Sequence, residues 1–292
     1  MPFADRRRYP AAMHLATQTY WGLNARQVHK AVKWTVYAML VVNFGFYVSE
    51  DVTRSVYTLT AQSGFLQWSN AFATTIDTSA WLLLILMLEL ETYQLDDRTW
   101  RNWVPRVVRG TRLVCFAFIA HTVFAYSTTV REYSATQPIE NVSSLCDLAD
   151  AGVSFVYNLQ YSEVDPGSCQ GLSAASEFFF LGNNSVVTSA AGLRIERGLA
   201  WADLIETLAW LVIIAAMETV VRMQTRGIST GPVVRAAASL KFLGYAALFV
   251  LAVYWASLAH WLYIWDTFVW IAGFAAIELN LSEWRRDLTA EA

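Results

Sequence analysis

Apolar residues along this chain come in long blocks separated by polar stretches, a pattern that predicts helices crossing a bilayer. A spanning helix needs roughly 20 mostly apolar residues. Six segments reach that length, at about 31–48, 70–90, 107–130, 199–221, 236–257 and 260–281. The last two almost touch, so a tight helical hairpin is expected there. No secretory leader is expected, because the chain starts polar and its first apolar block is too long for a cleaved core.

Only the stretch at about 131–202 is long enough to fold outside the hydrocarbon. Within it Val153, Phe155, Tyr157, Leu159 and Tyr161 alternate with more polar neighbours, which predicts a strand. Residues 176–181 and 185–188 flank Gly182-Asn183-Asn184, a hairpin signal. Cys146 and Cys169 fall in the same stretch, where a disulfide can persist, and a disulfide-tied β element is expected. Cys115, inside a span, reads as a small apolar filler. Residues 50–75, with Tyr57, Leu59, Phe65 and Trp68, are expected to lie in the outer interface.

The spans carry an internal repeat. Even-numbered spans share an acid, a Thr next to it, a Trp four residues on and a Glu twelve residues on. The sets are Asp77, Thr78, Trp81 and Glu89; Glu206, Thr207, Trp210 and Glu218; and Asp266, Thr267, Trp270 and Glu278. Odd-numbered spans open on a base, with aromatics four and fourteen residues later: Lys33, Tyr37 and Tyr47; Arg112, Phe116 and Tyr126; Lys241, Tyr245 and Trp255. Glu89 to Arg112 and Glu218 to Lys241 are both 23 residues apart. The third hairpin is then the bare unit, and the first two carry outer insertions of 19 and 69 residues. The expected fold is an all-α polytopic membrane protein of six helices, built as three tandem hairpins about a pseudo-threefold axis. Its segments are a cytoplasmic stretch (1–30), hairpin one (31–90), hairpin two (91–222, with the 131–202 insertion), hairpin three (223–282) and a tail (283–292).

Composition narrows the class. The chain is 55% hydrophobic and 15% charged, with a mean hydropathy of +0.34, whereas soluble domains are roughly 45–50% apolar and about 25% charged. A formal charge of −3 supplies no basic field, so no nucleic-acid partner is expected. The expected partners are the lipid bilayer and either a second copy of the chain or a larger membrane complex. With an inner N-terminus, 17 of the 21 Lys and Arg lie on the inner side. The inner segments then sum to +7 and the outer ones to −10. This asymmetry predicts cytoplasmic termini and an extracytoplasmic large loop.

The recurring charges are the candidate chemistry. Twelve residues of helix rise about 18 Å, which puts Glu89, Glu218 and Glu278 near the inner leaflet, level with Lys33, Arg112 and Lys241. Charges in hydrocarbon face the bundle and pair, so Lys33–Glu89, Arg112–Glu218 and Lys241–Glu278 are candidate pairs. Asp77, Glu206 and Asp266 form a candidate acidic ring at the outer edge, with Trp81, Trp210 and Trp270 packing beneath. Two readings stay open: ionic clasps that hold the bundle, or rings that line a path for cations.

No catalytic, metal or cofactor site is expected. The chain has no HExxH, GxSxG, phosphate loop or CxxC. His121 and His260 differ in depth by about 15 Å, too far to ligate one iron. All six prolines lie outside the spans, which favours a fixed bundle over a rocking carrier. The function expected first is ion conduction or small-solute transport. The alternative is a non-catalytic accessory subunit that presents its acidic outer domain to a partner.

Overall fold

The computed structural model describes residues 19–20, 23–89, 103–182, 185–228 and 230–290. It is mostly helical, with a small sheet and one disulfide. After a two-residue ladder of β1 (Thr19–Tyr20) and β2 (Leu23–Asn24), the helices are α1 (Ala25–Thr58), α2 (Phe65–Ala71), α3 (Ala73–Glu89) and α4 (Val104–Ala135). They continue, after the outer insertion, as α6 (Ala190–Thr225), α7 (Pro232–Ser257) and α8 (Trp261–Ala290). Four helical stretches are long and apolar enough to cross a membrane: Ala31–Thr58, Arg106–Ala135, Ala190–Gln224 and Pro232–Ser257. A fifth is reached if α2 and α3 count as one broken span, bent by 66°. The expected second span at 70–90 is thus corrected. Its helix starts at Ala73, after a separate short helix. The expected sixth span lies on α8, whose side chains from residue 276 onward fall outside the described part.

The helices overrun the expected spans because polar residues, too, extend a helix once it has nucleated. α6 has 36 residues, about 54 Å at 1.5 Å per residue, against a hydrocarbon core of about 30 Å. Its end is marked by Gly227 in the left-handed region, with Ile228 N–H on the Met223 carbonyl and Gly227 N–H on that of Gln224. Pro232 then opens α7, where its missing N–H costs nothing. A tight turn ends α7. Three residues, Leu258, Ala259 and His260, separate α7 from α8, and His260 N–H returns to the Trp255 carbonyl.

The chain divides into two compact units. In the first, residues 1–43 and 261–292, the described core includes Val36, Leu40, Thr267 and Val269, and Asn43 Nδ2 donates to Asp266 Oδ1 at 2.7 Å. In the second, residues 44–260, α3 packs on α4, α4 on α6, and α6 most extensively on α7. Gly244 of α7 lies against the Ile213 side chain and the Ala209 carbonyl of α6, where a Cβ would overlap Ile213. Small residues permit this approach, which is how helices gain contact in lipid.

The outer insertion carries β3 (Ser154–Tyr157), β4 (Gln160–Glu163), α5 (Cys169–Leu172), β5 (Phe178–Leu181) and β6 (Val186–Ser189). The sheet order is β4-β3-β6-β5, with β3 parallel to β6 and the other pairs antiparallel. The hairpin expected around Gly182 is β5–β6, although Asn183 and Asn184 lie outside the described residues. The single strand expected over 153–161 is corrected to a hairpin that turns at Asn158 and Leu159, both at positive φ. Such a turn matches the strand twist but favours Asn-Gly, so Leu159 concealed it within the alternation. Cys146 is bonded to Cys169, as expected, and joins the 3₁₀ turn Leu145–Leu148 to α5 beside a core of Leu145, Phe155, Phe178 and Val187.

Asp147 accepts Ser143 and Ser144 N–H at 2.9 Å each, and these donors hold its carboxyl below the usual range. Gly167 and Ser168 N–H do the same to Asp165. A depressed folded pKa contributes stability above the unfolded value of about 3.9 and loses it as pH falls through the folded value. Melting of the outer domain is therefore expected to drop below about pH 4, less steeply in Asp147→Asn. Gly244→Leu is expected to cost about 1–3 kcal/mol by overpacking in denaturant titration. Gly110→Ala, with nothing within 4 Å of its Cβ, is expected to match the parent.

Candidate functional site

The break between α2 and α3 is built by two charged residues of α1. Asp51 and Arg54 lie one turn apart, with Arg54 Nη2 3.5 Å from Asp51 Oδ1. Thr75 N–H, which in a continuous helix would reach the Ala71 carbonyl, donates to Asp51 Oδ2 at 2.9 Å. Thr75 Oγ1 donates to the same oxygen at 2.7 Å. The Ala71 carbonyl instead accepts Arg54 Nη2 at 3.4 Å. An ion pair on one helix thus stands in for a single backbone hydrogen bond of another, and the second helix bends there. Asp51 is buried, while the Arg54 side chain is 28% exposed.

Above this break lies an open cavity of about 250 Å³. Its walls come from the outer ends of α1, α2 and α4 and from β4, β5 and β6 of the outer domain. The chemistry-bearing residues are Arg54, Gln67, Asn70, Glu132, Tyr133 and Tyr161. Tyr161 stacks on Tyr57 of α1 with centroids 5.7 Å apart. Burial pushes its phenol up to about 12, against an opposing pull from Arg54, so it keeps its proton at neutral pH. Asn70 Oδ1 is buried with no hydrogen-bond partner among the described residues.

A second polar node fixes the outer domain to the helices. Asn158 Nδ2 donates to the Leu258 carbonyl at 3.0 Å, and its Oδ1 takes His260 Nε2 at 2.9 Å. Since that Asn oxygen can only accept, His260 carries the proton on Nε2. Leu159 N–H donates to Glu196 Oε1 at 3.0 Å. These long-range bonds hold a turn whose second residue disfavours positive φ.

The residues singled out in the sequence fall as follows. Asp77 Oδ2 accepts Trp81 Nε1 at 3.1 Å, one turn away. Asp266 accepts Asn43, and Glu206 is half-buried. Trp81, Trp210 and Trp270 are all buried. Lys33 lies 5.8 Å from the centre of the Trp34 ring. Arg112 and Lys241 are half-buried. Glu218, 56% exposed, accepts Arg222 Nε at 3.1 Å from one turn along its own helix. The side chains of Glu89 and Glu278 lie outside the described residues. His121 Nε2 meets Ser69 Oγ at 3.1 Å. The Asp51–Arg54 pair was not singled out. Its signal was an acid and a base three apart at the outer end of an apolar block, with Arg54 one of only four outer bases. Asn158 had no comparable signal.

Among the described residues no group of three or more His, Cys, Asp or Glu is placed to hold a metal ion. No protein-family model, curated protein or solved structure matches the chain. Asp51→Ala is expected to lower stability by about 2 kcal/mol, the worth of hydrogen bonds to a charged group, as read by denaturant titration. Asp51→Asn, which keeps one acceptor, is expected to lose less.

Proposed function

We propose that the chain is a non-catalytic membrane subunit in which a fixed helix platform presents the acidic outer domain to a partner. The observation that carries this proposal is how the outer domain is fastened. Asn158 and Leu159 are held by Leu258, His260 and Glu196. Ser185 Oγ donates to the Thr58 carbonyl at 3.3 Å, and Thr136 Oγ1 donates to the Phe180 carbonyl at 2.7 Å. These contacts reach α1, α4, α6 and the α7–α8 turn, so the sheet is anchored at several helix ends and its surface is presented in one orientation. Rigid mounting suits recognition, because it reduces the ordering cost of binding.

In this proposal six spans form three related hairpins. Support comes from the like burial of Thr78, Thr207 and Thr267 and of the three matched tryptophans. Cytoplasmic termini are supported by the charge asymmetry of the loops, and an oxidising outer compartment by the disulfide. Against the transport alternative, Asp77 and Asp266 of the candidate outer ring each give an oxygen to a protein donor.

Reconstituted vesicles are expected to pass protons, K⁺ and Na⁺ no faster than protein-free ones, and mild extraction is expected to retain a second copy or another protein in fixed ratio. Asn158→Ala should weaken that retention while leaving the helical signal intact. Ion flux that changes in Glu218→Gln, or a monomer that retains nothing, would return the transport alternative.

A further inference from the structure

The cavity under the outer domain has the depth, charge and shape of a site for a membrane component. α2 is amphipathic across its width. Gln67, Asn70 and Ala71, at helical spacing, line the cavity, while Phe65, Leu66 and Trp68 are exposed, Phe65 to 84%. A short helix bent 66° from α3, with bare apolar side chains and an aromatic of interfacial type, has the make-up of one that rests at the boundary between hydrocarbon and headgroups. In that position the cavity beside it is at headgroup depth.

The lining charges do not neutralise each other. Arg54 and Glu132 face one cavity without forming an ion pair, and Arg54 is drawn instead toward Asp51. Among the described residues Arg54 meets both Asp51 and the Ala71 carbonyl through Nη2. The Tyr133 and Tyr161 rings line the same cavity. Arg54 already stands 3.5 Å from the Asp51 carboxylate, so its charge is partly balanced and a bare anion gains little from it. A ligand that carries both signs meets every condition. Its phosphate would take guanidinium N–H groups of Arg54 and a tyrosine hydroxyl, and its ammonium would take Glu132. At about 250 Å³ the cavity admits a headgroup and not a drug-sized molecule.

We infer that this cavity binds the zwitterionic headgroup of a membrane phospholipid, an ammonium-bearing phosphodiester of the ethanolamine type. This inference is independent of the platform function. The acyl chains run past the exposed apolar residues of α2, which is why a lipid, rather than a soluble phosphoester of the same chemistry, is the occupant.

The test is native mass spectrometry of the full-length protein in detergent, with equal amounts of phosphatidylethanolamine and phosphatidylglycerol added. Preferential retention of phosphatidylethanolamine is expected. Glu132→Gln should reduce that preference about tenfold, the scale of one charge-assisted hydrogen bond. Tyr161→Phe, which keeps the ring on Tyr57, should reduce it less, and it decides alone if Glu132→Gln fails to fold. Equal retention of the two lipids, or variants that bind like the parent, would overturn the inference. So would displacement of the lipid by equimolar glycerophosphoethanolamine, which would identify a soluble ligand.

Discussion

A backbone N–H buried within a protein has no water to turn to and must find its acceptor among the protein's own groups. A continuous helix meets this demand by itself, so a bend requires a substitute acceptor. Asp51 supplies it to Thr75, and Arg54 supplies the matching donor to Ala71. Because the two are already paired on α1, the exchange leaves no charge stranded. The outer half of the structure depends on this replacement. It turns α2 away from α3 and thereby makes room for the cavity beneath the outer sheet.

The same logic recurs at the outer domain. A hairpin whose turn residues are Asn and Leu carries a local strain that a glycine would remove. Three bonds from elements distant in the chain compensate, through Leu258, His260 and Glu196. Two buried carboxylates, Asp51 and Glu196, act as acceptors for the Thr75 and Leu159 backbone N–H groups. That accounts for buried acids such as Glu196 in a chain so poor in charge.

Much of the architecture was legible because its causes are local. Apolar blocks of sufficient length marked the helices, and Pro105 and Pro232 fall at helix starts, where a proline belongs. Gly182 marked the β5–β6 turn, and two cysteines in one extramembrane stretch marked the disulfide. The break at Phe72 was not legible. Nothing in that stretch disfavours a helix strongly, and the residues that split it reach it from 17 and 24 positions earlier. Leu159 hid a turn for the same reason, since its partners are 37 and about 100 residues away.

The sequence by itself determined that the chain is apolar enough for a bilayer, where its long helices run and which segment folds outside them. These follow from sums over neighbouring residues, namely transfer free energy, helical period and cysteine placement. Only the tertiary structure decided where the second apolar block divides, how the outer strands pair, and that Arg54, Glu132, Tyr133 and Tyr161 share one cavity. Those outcomes turn on which distant acceptor reaches which donor. The strength of that contact depends on a few ångströms of separation, and separations between distant residues are set only when the helices and the sheet have packed.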